Sequence, residues 1–219
     1  DALALLEARG ITPSHSWVRA TRIGGNSKTP SRLIRLAHDH MASDIALDIE
    51  IGARAAPDAN FRNHIQIIEA APTRTRGFPN PLRIAVPPIP GALQWIEPDA
   101  LFALGDRHYA IEADMGTESI ESVVKSKMRA YREIVASCRI DEHFGIDNLR
   151  VLFVTTNEKR MRNMMDALAT IASNGRSAMF AFACRPDLAD FICAPAPTGG
   201  MFTYVWQRVG YDPLELGKA

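Results

Sequence analysis

The stretch WIEPDALFALGDRHYAIEADMGT, residues 95–117, decides the fold, because it reads as two β-strands joined by a tight turn. Apolar and polar residues alternate along its second half, which is typical of a strand with one buried face. Gly105-Asp106 is a two-residue connection of the Gly-first kind that suits a type II′ hairpin turn. We therefore predict strands over residues 93–104 and 107–115.

The position of the turn fixes which residues of the two strands face each other. With Gly105 and Asp106 as the turn, Leu104 pairs with Arg107 and the pairs continue outward in step. Residues two apart share a face, so four carboxylates lie on one side of the hairpin while the other side is apolar. These carboxylates form two facing pairs, Asp99 with Glu112 and Glu97 with Asp114. Facing like charges destabilise a sheet, so solvent, lysines, protonation or a cation must offset their repulsion.

The rest of the chain alternates between helical and strand patterns. Helices are predicted over 31–55, 117–137 and 158–174, and further strands over 60–70, 82–86, 149–155, 178–184 and 201–207. This order predicts an α/β fold in which a mixed sheet is flanked by helices on both faces, with an αβββαβ core.

Composition excludes several classes of protein. The chain is 47% apolar, which is enough for a substantial core, and its 25 basic and 25 acidic residues balance, unlike a nonspecific nucleic-acid coat. Residues 1–35 nevertheless carry six basic residues against two acidic ones, so this arm either touches phosphate or is a solvated charged surface. The first residue is Asp rather than Met, from which we expect the chain to be cut from a longer one.

The cysteines and the apolar runs bear on localisation. Cys138, Cys184 and Cys193 form no CxxC pair, so neither a zinc ribbon nor a disulfide framework is indicated, and a reducing cytoplasm fits. No apolar run approaches the roughly 20 residues of a membrane span, and no signal peptide is recognisable. We expect a cytoplasmic protein without a membrane partner.

The carboxylate group suggests metal chemistry. Hard divalent ions such as Mg²⁺ or Mn²⁺ take one or two carboxylates together with water and phosphate oxygens. A metal held there would polarise a phosphodiester and lower the pKa of an attacking water. Asp99, Glu112 and Asp114 are the predicted ligands, and Glu97 is an accessory residue. The alternative is an acidic, solvated end of an edge hairpin.

Two lysines follow on the next predicted helix. Lys125 and Lys127 point about 200° apart on a helix, so only one of them can reach back to the carboxylates. Lys127 is favoured because Tyr131 lies one turn later on its side, whereas Lys125 has a surface partner in Glu121. Lys127 is therefore the predicted catalytic cation beside Asp99 and Glu112, with Lys125 and Tyr131 as accessory residues.

Motif letters in this region match a known pattern. Pro98-Asp99-Ala100, the run from Glu112 to Thr117, Lys127 and Tyr131 resemble the PD-(D/E)xK nuclease superfamily and, more narrowly, the replication-relaxation family of mobile-element proteins. The resemblance implies a restriction-endonuclease-like domain over 31–219, preceded in 1–30 by a basic arm that is the tail of a truncated winged helix. It also implies DNA as partner, with other replication, mobilisation or regulatory proteins of a plasmid as further partners, and leaves a homodimer open.

One departure from the pattern divides the functional hypotheses. The superfamily has Lys two residues after the Glu, whereas this chain has Asp114. The first hypothesis is a Mg²⁺-dependent endonuclease or nickase in which the lysine has moved to Lys127. The second is a noncatalytic DNA-binding or assembly module on the same fold.

Residues on the first predicted helix are weaker candidates. Glu50 could approach the metal as a helix glutamate does in many nucleases of this class, or be a solvated residue. His38 and His40 do not share a helix face, so a metal site there is disfavoured. We interpret His38 as a capping or partner-contacting residue.

Overall fold

A six-stranded mixed sheet forms the centre of the computed structural model, which describes residues 30–190 and 193–218. Its strands lie in the order β1-β4-β5-β6-β7-β8; β5, β6 and β7 run parallel, and the remaining pairings are antiparallel. A separate two-stranded sheet pairs β2 with β3. The strands are β1 Phe61–Asn63, β2 Ile84–Ala85, β3 Trp95–Ile96, β4 Ala100–Leu104, β5 Arg107–Asp114, β6 Arg150–Thr155, β7 Ser177–Cys184 and β8 Gln207–Val209.

Helices cover both faces of this sheet. Along the chain they are α1 Pro30–Ala55, α2 His64–Ala70, α3 Thr73–Arg76, α4 Lys125–Ala136, α5 Arg139–Phe144 and α6 Glu158–Ile171. Apolar residues of α1 form one buried cluster with Phe102, Tyr109 and Ile111. Residues of α4 and α6 form the other with Leu101 and Ala110 on the opposite face. The prediction of an α/β fold with a mixed sheet between helices is confirmed.

The β4–β5 hairpin has the predicted register. Leu104 pairs with Arg107 and the ladder continues to Ala100 opposite Ile111. Gly105 has φ +55°, which glycine adopts without strain and which the first position of a type II′ turn requires. The carboxylate face, however, is not an open acidic surface: helices α4 and α6 cover it, and it belongs to the second core cluster.

Three predicted strands were wrong in whole or part. Only residues 61–63 of the 60–70 segment are a strand, because Asn63 caps α2: its side chain accepts the Gln66 N–H, and the Gln66 side chain accepts the Asn63 N–H. The segment 93–104 is divided at Pro98 into β3 and β4, which lie in different sheets. The segment 201–207 begins in a short 3-10 helix, Gly200–Phe202, and continues as irregular chain, and β8 begins only at Gln207.

The helix predicted from residue 117 begins later and differently. Ser119 caps it, and Ile120–Val124 forms a wider π-helical turn before α4 continues to Ala136. Met128, Tyr131 and Ile134 form a buried stripe along this helix. Single-turn π segments shift the residues that follow them relative to a regular helix. The short helix α5 was not predicted.

Helix α1 is tied to the late segment around residue 200. Asp48 is buried, and its carboxylate accepts the backbone N–H groups of Thr198, Gly199 (2.7 Å) and Met201 (2.6 Å). A carboxylate bound by several backbone donors makes strong charge-assisted hydrogen bonds. Asp48 therefore fixes this segment against α1.

Gly52 packs directly against the same segment, so we expect Gly52→Ala to destabilise the fold by about 1–3 kcal/mol. A Cβ at residue 52 would lie 2.5 Å from both the Gly199 carbonyl oxygen and the Phe202 Cβ. Gly77→Ala is the control, since its nearest neighbour atom lies at 3.5 Å and its φ of −82° suits alanine. Urea denaturation measures both, and equal midpoints for the two variants would contradict the packing described.

No helix among the described residues is long and apolar enough to cross a membrane. The predicted arm, residues 1–30, with its winged-helix tail, lies outside the described residues except for Pro30. Its boundary with a domain over 31–219 stays a prediction.

Candidate functional site

Glu112 is the centre of the candidate site. It lies near the end of β5 and is only 1% exposed. The Tyr131 hydroxyl donates to its Oε1 at 2.5 Å, and Lys127 Nζ lies 3.1 Å from its Oε2. Lys127 Nζ is also 3.1 Å from Glu118 Oε2. Both carboxylate oxygens of Glu112 thus have partners on or near α4.

Helix geometry explains why these two residues of α4 reach Glu112. Lys127 and Tyr131 are four residues apart and share one face, which α4 turns toward β5. Lys125 points away and pairs with Glu121 at 2.7 Å. The structure therefore places Lys127 at the site and Lys125 in an ion pair with the exposed Glu121.

Asp99 precedes β4 and lies beside the same strand end. Its Oδ2 accepts the Ala113 N–H at 2.8 Å and is 3.4 Å from His38 Nε2. His38 Nε2 is also 3.1 Å from the Ala113 carbonyl oxygen. His38, on α1, is a residue of the site that the sequence interpretation missed, because only the packing of α1 on the sheet brings it there.

Asp114 has a different partner. Arg160, near the start of α6, binds its carboxylate with two nitrogens, Nε to Oδ2 and Nη2 to Oδ1, the latter at 2.7 Å. Arg160 Nη2 also donates to the Glu118 carbonyl oxygen at 2.7 Å. Asp114 is 6% exposed, so a bidentate, partly dehydrated ion pair occupies both of its oxygens.

The remaining predicted carboxylates lie elsewhere. Glu97 is exposed and accepts a hydrogen bond from Asn80 Nδ2 at 2.6 Å. Glu50 pairs with Arg54 at 2.7 Å, and twelve residues of helix, about 18 Å, separate it from His38. The predicted cluster of four carboxylates is therefore divided. Asp99 lies near enough to Glu112 for its charge to raise the pKa of Glu112, whereas Asp114 is paired with Arg160 and Glu97 is exposed.

Burial and charge change the protonation of these groups. Burial raises the pKa of Glu112 to about 7, with a further rise from Asp99 that the nearby Lys127 opposes. Burial alone would lower the pKa of Lys127, but the charges of Glu112, Glu118 and Asp99 outweigh it and raise that pKa. The hydrogen bond to Asp99 raises the pKa of His38 to about 9. The cations of the site are thus held charged, whereas Glu112 titrates near neutrality.

These shifts predict that stability falls as pH rises. Between pH 4.5 and about 7, folded Glu112 keeps a proton that the unfolded chain has lost, so the free energy of unfolding declines. Charged His38 is favoured in the folded state, and this contribution is lost from pH 6.5 to about 9. We expect a total loss of roughly 2–4 kcal/mol, after allowance for the partial exposure of His38.

Urea unfolding at several pH values measures this dependence. Glu112→Gln should remove the part below about pH 7, and His38→Gln the part above it. A wild-type stability that does not change between about pH 5 and 9, or an unchanged profile in both variants, would count against these titrations.

The donor set fits a divalent metal poorly in this arrangement. Lys127 and Tyr131 occupy Glu112, and Arg160 occupies Asp114. Within the described ranges, no group of three or more His, Cys, Asp or Glu side chains is arranged to hold a metal ion. Of the three predicted ligands, Asp99 alone keeps an oxygen, Oδ1, that has no partner within the described part of the chain.

Comparison with known families adds to this geometry. The family model of replication-relaxation proteins matches residues 4–148, which is more than half of the chain. This chain belongs to the replication-relaxation family. The matched span contains His38, Asp99, Glu112, Lys127 and Tyr131, while Arg160 lies beyond it. Replication-relaxation membership suggests a role in plasmid replication. No curated protein and no solved structure matches the chain.

Proposed function

We propose that this protein is a noncatalytic DNA-binding module of plasmid replication. In this proposal Glu112 with Asp99, Lys127 and Tyr131, here called the Glu112 cluster, is a closed, charge-compensated structural site. Family membership supports the plasmid role. One observation supports the noncatalytic assignment: protein groups already occupy the carboxylates of Glu112 and Asp114.

The charge balance of the site explains why this arrangement is stable without a metal. Buried carboxylates are costly unless they are paired and hydrogen-bonded. Arg160 neutralises Asp114, and Lys127 neutralises Glu112 while Tyr131 supplies a hydrogen bond. A divalent ion at Glu112 would have to displace the Lys127 ammonium. The positive charges that compensate these buried carboxylates thus come from Lys127 and Arg160 of the protein itself.

A second candidate is a Mg²⁺- or Mn²⁺-dependent endonuclease or nickase of the PD-(D/E)xK, restriction-endonuclease-like type. The observation that favours it is that the three predicted catalytic residues meet: Lys127 contacts Glu112, and the charge of Asp99 acts on both. In this function Asp99 and Glu112 would hold the ion, but Lys127 would first have to leave Glu112. Asp114, bound by Arg160, would not be a ligand.

Incubation of supercoiled plasmid with the full chain and Mg²⁺ or Mn²⁺ tests the two candidates. We expect DNA binding in a mobility-shift assay without nicking by the wild type. Asp99→Ala is compared with Asp106→Asn, an exposed aspartate at the other end of the same hairpin. Nicking that requires the metal, is lost in Asp99→Ala and persists in Asp106→Asn would overturn the noncatalytic proposal in favour of the nuclease.

Absence of DNA binding by the wild type would contradict both candidates. Contacts with other replication, mobilisation or regulatory proteins, and a homodimer, stay predictions of the sequence.

A further inference from the structure

An exposed surface between α3 and β3 combines arginines with aromatic rings. Trp95 is 48% exposed and Phe78 39% exposed, unusually open positions for such large apolar side chains. The guanidinium of Arg83 lies 4.9 Å from the centre of the Trp95 ring, and that of Arg74 lies 5.9 Å from the Phe78 ring. We call these four residues the arginine–aromatic surface.

His143 of α5 contacts the segment that carries both arginine–aromatic pairs. The Phe78 ring stacks on His143 of α5 with centroids 5.8 Å apart, and His143 Nε2 lies 2.7 Å from the Pro81 carbonyl oxygen. Arg83 follows two residues after Pro81, and the next residues form β2, in which Ala85 pairs with Trp95. One continuous segment thus connects the two arginine–aromatic pairs.

The second feature of this surface is the positive charge of its two arginines. Among the described residues, neither Arg74 nor Arg83 has an ion pair with a carboxylate. The nearby Glu97 is hydrogen-bonded by Asn80. Arginines that keep their charge next to open aromatic rings are typical of surfaces that contact phosphate and base together.

A second exposed arginine–aromatic group provides a contrast. Arg176 and Arg208 lie 4.6 Å and 5.5 Å from the Tyr211 ring. There, however, the guanidinium Nε atoms donate to the carbonyl oxygens of Gly210 and Asp212, so these arginines fix the chain around β8. β8 is the edge strand remote from β4, and this group is therefore also far across the sheet from Asp99.

We propose that the arginine–aromatic surface binds single-stranded DNA. Unpaired bases would stack on Trp95, Phe78 and the flat guanidinium of Arg83, while Arg74 contacts phosphate. A base-paired duplex hides the faces of its bases, which is why the surface fits single strands. The choice of DNA as partner rests on the proposed function, but the surface is independent of the Glu112 cluster.

Fluorescence anisotropy with a labelled oligothymidine of about 20 nucleotides tests this surface. Trp95→Ala should weaken binding at least about fivefold, because stacking on an aromatic residue contributes that much or more per base. Trp95→Phe keeps an aromatic face and should retain most of the affinity. Arg74→Ala should lower the slope of log affinity against log salt by about 0.7, as for one lost phosphate contact on a single strand. Tyr211→Ala is the matched control and should bind as the wild type does.

Several outcomes would overturn the inference. Trp95→Ala binding that equals the wild type, or an equal loss in Tyr211→Ala, would exclude stacking at this surface. Competition by polyglutamate as effective as by DNA would indicate an acidic protein partner instead. A chain that binds duplex but not single strands would leave the proposed function standing and remove this inference, whereas binding of neither would remove both.

Discussion

Replacement of Arg160 by Met is expected to destabilise the fold by about 3–5 kcal/mol, because it leaves a buried carboxylate without its counter-charge. Asp114 is 6% exposed, and the two guanidinium nitrogens of Arg160 are its only side-chain partners seen in the described residues. The loss of the Arg160 bond to the Glu118 carbonyl oxygen would also loosen the segment that leads into α4. Urea unfolding at neutral pH measures the change.

Arg162 provides the control on the same helix. Its ion pair with Glu158 is exposed on both sides, so Arg162→Met should cost less than about 1 kcal/mol. Removal of the carboxylate in the double variant Asp114→Leu/Arg160→Met should recover much of the lost stability, as buried ion pairs often tolerate apolar replacement. Similar losses in the two arginine variants, or no recovery in the double variant, would show that the buried pair is not the cause.

Replacement of Lys127 by Met is expected to produce the second large effect. Without that ammonium, the pKa of Glu112 should rise further above about 7, since burial and Asp99 then act unopposed by a cation. The variant should therefore hold a proton on Glu112 at neutral pH and lose roughly 2–4 kcal/mol of stability near pH 8. The loss should be smaller near pH 5, where a protonated Glu112 needs no cation.

Lys125→Met is the matched control for this experiment. Lys125 is itself only 12% exposed, but its partner Glu121 is 76% exposed, so its removal leaves no buried carboxylate without a counter-charge. The variant should therefore change stability by less than about 1 kcal/mol at either pH. The number of protons taken up on folding, measured by calorimetry in two buffers, distinguishes a change in Glu112 protonation from a loss of stability that has another cause. A Lys127→Met loss that does not depend on pH would contradict the role of Lys127 as the counter-charge of Glu112.

The sequence predicted the hairpin and its register because both depend on local geometry. A Gly-Asp turn and alternating residues define which side chains share a face, with no knowledge of the rest of the chain. The same reasoning identified Lys127 over Lys125, since helix periodicity alone separates the two. These predictions needed only neighbours within one or two elements.

The partners of the carboxylates could not be predicted from local geometry. Arg160 is 46 residues from Asp114, and His38 is 75 residues from Ala113, so only the packing of α6 and α1 brings them to the site. The strand predicted over 60–70 failed for a local reason instead. The apolar residues of that segment fit the two-residue period of a strand as well as the 3.6-residue period of a helix. The mutual cap between Asn63 and Gln66 stabilises the helix.

The parallel pairing of β5 with β6 extends the sheet beyond the residues that the family model matches. That match ends at residue 148, and β6 begins at Arg150. A fragment that stopped there would turn β5 from a central strand into an exposed edge, with its peptide groups unpaired and open to aggregation. The folded sheet thus extends beyond residues 4–148, and those residues alone would lack the strand that covers the inner edge of β5.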